Sequence, residues 1–185
     1  MRKVRMLTYG LTALLCVWTI GTSVARAQES GIVLFDNCDP KTFPNGLCIA
    51  GFAGDTTFQE FLKLLFSPLS PTIVGHPAWR MEPSYFNVEA GESLRVTNHG
   101  GEGHTFTEVV NFGGGSFPFI NGEHAEAFGG PAGTIPLTKA PECPLNAPPG
   151  VLSPGASVNL KLSPGLHNFM CCIHPWMRAV VDVEE

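Results

Sequence analysis

Near the carboxyl end stand three metal-binding side chains at short, regular spacing. They are Cys171, His174 and Met177, in the run Phe169-Met170-Cys171-Cys172-Ile173-His174-Pro175-Trp176-Met177. A thiolate, an imidazole and a thioether on one tight loop make a soft donor set. Such a set selects copper over hard cations, and two imidazoles with one thiolate and a weak axial thioether describe a blue copper site. The loop lacks one imidazole of that description. His104 follows the turn-forming stretch Gly100-Gly101-Glu102-Gly103, which can deliver it onto the strand Thr105-Phe106-Thr107, where a fourth donor is needed. His99 competes for the place but precedes that turn and reads as a surface residue. His124 and His167 have no partner at metal spacing, His167 reads as lying on a strand surface, and His76 and Met81 read as ordinary packing or surface residues.

A second cysteine directly follows the first. Neighbouring side chains on a strand face opposite ways, so only one of Cys171 and Cys172 can point into a site. The spacing to His174 and Met177 favours Cys171. Cys172 then faces elsewhere, and a bridge to Cys143 is expected; a vicinal Cys171–Cys172 disulfide is the alternative that would abolish the site. Five cysteines lie beyond residue 27, and two bridges leave one thiol over. Cys38 and Cys48 flank a turn-rich stretch, Asp39 to Gly46, and form the expected local bridge.

The compartment follows from the amino end. Arg2-Lys3-Val4-Arg5 precedes an apolar run from Met6 to Ile20, and Ala25-Arg26-Ala27 places small residues where a signal peptidase reads. That order predicts a signal peptide over residues 1–27, removed from the mature chain, which is then periplasmic or secreted, in a setting where disulfides persist, with no stable membrane insertion. Cys16 sits mid-run, with more apolar residues after it, against a lipid-modified cysteine. The four cations in this segment have no acid among them. Without them seven cations face 16 acids, a net charge of −9, so nucleic-acid backbones and anionic lipid surfaces are unsuitable partners.

The positioning elements can be read from periodicity. Phe58, Phe61, Leu62, Leu65 and Phe66 fall on one helical face behind Thr57 and Glu60, a capping box, so a short amphipathic helix is expected near 56–66 within an N-terminal extension, 28–70. From about Pro71 the period changes to two. Tyr85 to Val88, Ser93 to Asn98, His104 to Val110, Ser157 to Leu162, His167 to Cys172 and Ala179 to Val183 read as strands punctuated by glycine and proline. Short strands so spaced argue for an antiparallel β-sandwich over 71–185, all-β in class, interrupted by a long Gly/Pro-rich insert, 111–153.

Joined together, Tyr85 to Val110 and Val158 to Val183 resemble the cupredoxins of the plastocyanin and azurin type. The closing C-x-x-H-x-x-M loop, with Pro175 directly after His174, looks most like that of the amicyanins. The resemblance implies a Greek-key sandwich, one type 1 copper ion held by His104, Cys171, His174 and Met177, and single-electron transfer. It also implies a redox protein partner that docks transiently at the exposed edge of His174, near Pro175 and Trp176; the protein is expected to be a monomer. Two departures stand out: Thr105 follows His104 where many relatives have Asn, so the hydrogen bond joining the ligand loops is expected to be weaker or differently made, and Cys172 is unusual beside a ligand thiolate. Catalysis is not expected, because multicopper oxidases and copper nitrite reductases flank the cysteine with histidines, whereas Met170 and Cys172 flank Cys171. Two other readings remain open here: copper storage or delivery without redox cycling, and a plastocyanin-like structural or interaction domain with bridged cysteines.

Overall fold

The computed structural model describes residues 31–49, 51, 54–65, 78–118, 120–121, 139–146 and 148–185. The expected signal peptide, His76, His124 and the middle of the insert lie outside the described residues. Two four-stranded sheets face each other. The first is ordered β2-β1-β4-β8 and the second β3-β10-β9-β6, with a two-stranded β5-β7 pair beside them. The ranges are β1 Gly31–Phe35, β2 Arg80–Glu82, β3 Tyr85–Glu89, β4 Leu94–Asn98, β5 His104–Thr105, β6 Thr107–Val109, β7 Val151–Leu152, β8 Ser157–Leu160, β9 Gly165–Met170 and β10 Arg178–Glu184. The described residues form an all-β sandwich flanked by a short α-helix.

Alternation drives the layering. Ile32 and Leu34 of β1, Leu94 and Val96 of β4, and Ala179, Val181 and Val183 of β10 are buried, while their sequence neighbours are less so. Burying an apolar side chain of this size contributes roughly 1.5–3 kcal/mol, which fixes the register, because a one-residue slip would turn the set outward. Phe106 and Phe169 stack between the sheets at 4.1 Å between ring centroids.

Two features differ from the sequence expectation. The sandwich is not wholly antiparallel, because β1 runs parallel to β4 and β3 parallel to β10. Chain neighbours β3 and β4, joined through Gly91 at φ 87°, lie in different sheets, so that short connection is a crossing between layers and not a hairpin. The second difference is β1 itself: Gly31–Phe35 supplies the strand between β2 and β4, where the sequence reading assigned none. A five-residue apolar run carries no period that separates a buried strand from other buried segments.

The helix forms as expected, as α1 (Phe58–Leu65). Its capping box is closed in both directions: the Thr57 amide donates to Glu60 Oε2 at 2.8 Å and the Glu60 amide to Thr57 Oγ1 at 3.2 Å. The Cys38–Cys48 disulfide staples the segment before it. Part of the insert is tied to the end of β9 by Cys143–Cys172 and by the Ser116 amide donating to the Cys172 carbonyl, while the Ser116 hydroxyl donates to the Cys143 carbonyl within the insert. Its last residues are β7, paired with β5 at His104 opposite Leu152. Among the described residues no helix is long and apolar enough to cross a membrane.

Candidate metal centre

His104 opens β5, and Cys171 directly follows β9, where the chain leaves the second sheet. His174 and Met177 lie on the loop from there to β10. That loop is tied at its neck, since the Cys171 amide donates to the Met177 carbonyl at 3.0 Å and the Met177 amide to the His174 carbonyl at 2.9 Å. Three of the four expected residues converge: donor atoms of His104, Cys171 and His174 all lie within 4.8 Å of one another, and all three residues are buried. Met177 is fully buried in the core. His99 is exposed, edge-on to Phe35, and takes no part. His167 lies on β9, where its ring faces Glu108 at 2.7 Å.

Cysteine usage follows the expected division. Cys143 is bridged to Cys172, Cys38 to Cys48, and Cys171 is the free cysteine among the described residues. This excludes the vicinal bridge and removes the premise of a domain with all its thiols paired.

The geometry fits an ion. The Nδ1 atom of His104 faces the Cys171 sulfur at 3.9 Å. A metal about 2.0 Å from an imidazole nitrogen and about 2.3 Å from a thiolate holds those donors roughly 3.5–4 Å apart at open angles. His174 Nδ1 is buried with no hydrogen-bond partner, the kind of orphaned acceptor a metal ion satisfies. The Cys171 sulfur accepts from the Thr105 amide at 3.4 Å and the His174 amide at 3.5 Å, while Pro175 adds no donor.

Thr105 makes the link between ligand loops in its own way. Its hydroxyl accepts the Cys172 amide at 2.7 Å, so one residue holds the backbone after Cys171 and donates its own amide to the sulfur. Asp36, at the end of β1, is the group sequence reading missed. Its buried carboxylate accepts the His104 Nε2 proton at 2.8 Å and the amides of Cys38, Gly101 and Glu102. A side chain on Gly100 would collide with that carboxylate, so glycine is required for the loop to close over it. The only sequence signal was an acid directly after an apolar run, which is too common to single out.

Charges settle accordingly without metal. Burial raises the Asp36 carboxyl, but His104 and the backbone amides outweigh it and hold the group below 3.8. Burial disfavours a charged His104 ring, yet Asp36 and Cys171 push it up to about 10. Burial likewise raises the Cys171 thiol, and His104 and His174 reverse this, holding it well below 9.0. A thiolate is therefore poised for a soft cation, with the His104 proton in the place a metal would take.

The expected exposed port is corrected by the packing. His174 and Trp176 are each 3% exposed, and Pro175 is buried as well. Phe61 of α1 lies edge-on to His174 at 6.0 Å and beside Trp176 at 6.4 Å, and Trp79 stands 6.3 Å from the same imidazole. The helix and its aromatic neighbours thus cover the patch on which a partner was expected to dock.

No protein-family model and no curated protein matches the chain. Among solved structures it is similar to a purple cupredoxin from Nitrosopumilus maritimus, at 16% identity and TM-score 0.37, over 63% of this chain and 94% of that one. It is also similar to plastocyanin from Dryopteris crassirhizoma, at 22% identity and TM-score 0.36, over 60% and 96% of the two chains. A copper-containing nitrite reductase from Thermus scotoductus is similar at 15% identity and TM-score 0.33, over 65% of this chain and 26% of that one.

Proposed function

We propose that the protein is a mononuclear type 1 copper protein, a periplasmic or secreted carrier of single electrons and not an enzyme. The observation that carries this reading is the convergence of one free, buried thiolate with two buried imidazoles, one of which has an orphaned Nδ1. His104, Cys171 and His174 would hold the ion, with Met177 as a weaker thioether donor. Bound copper supplies a one-electron couple. The chain contributes rigidity: Thr105, the two amides on the Cys171 sulfur and the tied neck of the loop hold the donors in one geometry, which limits reorganisation when the charge changes.

The signal-like segment and the two disulfides support export. Export is tested by the amino terminus of the mature protein, expected at Gln28. Copper delivery requires a ligand edge that a receiving protein can reach, and the burial of all three donors counts against it. The partner is a redox protein that docks transiently, on a surface other than Pro175 and Trp176.

Adding Cu(II) to purified mature protein is expected to produce an intense blue thiolate charge-transfer colour that Cys171→Ser abolishes. Reversible reduction with copper retained is the expected behaviour of a carrier. A colourless adduct, or a colour unchanged by Cys171→Ser, refutes the reading, and loss of copper on reduction turns it toward delivery.

A further inference from the structure

Each of the two imidazoles is backed by a buried acid. Asp36 Oδ2 lies 2.8 Å from His104 Nε2, and both side chains are 0% exposed. Glu102 Oε2 lies 3.7 Å from His174 Nε2, in side chains 11% and 4% exposed. The two acids are anchored independently. Asp36 takes three backbone amides, and Glu102 takes the indole proton of fully buried Trp79 at 2.6 Å. Both Nε2 atoms thus face a carboxylate, which leaves Nδ1 of each ring for the Cys171 side.

We propose that Asp36, hydrogen-bonded to His104, and Glu102, held close to His174, are positioning residues whose charges together favour the more highly charged state of the bound metal, lowering its reduction potential. The inference rests on the copper reading above. Glu102, at 3.7 Å, lies beyond hydrogen-bond reach of His174, whereas the Asp36 carboxylate is hydrogen-bonded to the His104 imidazole, orients that ring and makes it a stronger donor. Its charge also acts directly. A unit negative charge one imidazole ring away from the ion, on the order of 6 Å, in a partly buried setting changes a one-electron equilibrium by more than tenfold. Both acids act with the same sign, because oxidation adds one positive charge between them.

The test is spectroelectrochemistry of the copper-loaded full-length mature protein as wild type, Asp36→Asn, Glu102→Gln and the double variant. Each single substitution is expected to shift the equilibrium toward the reduced state by at least about tenfold, which for a one-electron couple raises the potential by at least about 59 mV, and the double variant by about the sum. The blue colour is expected to persist in Glu102→Gln, where the amide oxygen can still accept the Trp79 proton. Asp36 is tied to four donors, so Asp36→Asn can fail to fold; Glu102→Gln then decides alone. A merely structural role would loosen or bleach the site without a systematic rise in potential. A blue wild type whose potential moves less than twofold in equilibrium, or moves downward, in Glu102→Gln overturns the inference alone. A wild type that takes up copper without the thiolate colour overturns the copper reading and the inference together.

Discussion

Phe61→Ala tests whether α1 is part of the metal site or a bystander. Phe61 is 7% exposed, and its ring lies 4.8 Å from Trp79, 5.7 Å from Phe43, 6.0 Å from His174 and 6.4 Å from Trp176. Truncating a buried phenylalanine costs about 3–5 kcal/mol through lost transfer energy and the cavity left behind. The helix has only eight residues and can settle partway into the gap, so the lower figure applies. About 3 kcal/mol corresponds to a fall of roughly 6–12 °C in Tm for a chain of this size. The functional readout is separate: with the ring gone, the covered edge of His174 opens to solvent, and stopped-flow reduction of the copper-loaded protein by a small reagent should become faster. Leu47→Ala, at a 57% exposed position in the stapled segment before the helix, serves as the control and should change neither quantity. A stability change within the roughly 0.5 kcal/mol of an ordinary surface substitution, or a destabilised variant whose reduction rate is unchanged, would refute the idea that α1 shields the ligand loop.

Thr105→Val leaves the buried Cys172 amide without its acceptor at 2.7 Å and should cost about 1–3 kcal/mol in urea unfolding, largely recovered by Thr105→Ser. The Cys143→Ser/Cys172→Ser pair opens a bridge between residues 29 apart and should cost about 3–4 kcal/mol, with the blue colour kept, because Cys171 and not Cys172 faces the site. In the metal-free protein the raised His104 ring contributes stability that is present below 6.5 and lost as the pH rises through about 10, whereas the lowered Cys171 thiol contributes stability that is present above 9.0 and lost as the pH falls below it, so the two slopes oppose each other between 6.5 and 9.0 and the His104 loss stands alone above 9.0. Urea midpoints from pH 5 to 11 check this, and a slope between pH 7 and 9 that Cys171→Ser removes would contradict it.

What was legible in the chain was local. Cys171, His174 and Met177 announce themselves because three uncommon donor types stand within seven residues. His104 could be chosen over His99 because a glycine-rich turn separates them. The Cys38–Cys48 bridge spans a single turn-rich stretch, and alternation sends Cys172 away from Cys171. The capping box of α1 needed only four residues. In each case the physical cause and the sequence signal share the same few positions.

What was not legible depended on partners far apart in sequence. Asp36 meets His104 across 68 residues because β1 runs parallel to β4, and nothing in Gly31 to Phe35 states which strand it will join. Trp79 reaches Glu102 across 23 residues, and Phe61 reaches His174 only because α1 folds back over the loop. Trp176 allowed either exposure or burial, and the choice was made by a helix more than a hundred residues earlier. These contacts share one property: each acts on a ligand from outside the ligand loop. The candidate donors are thus named by local sequence, whereas their shielding and the charges behind them are set by topology. Two chains with the same C-x-x-H-x-x-M loop can accordingly differ in solvent access and reduction potential when a different first strand or helix stands over it.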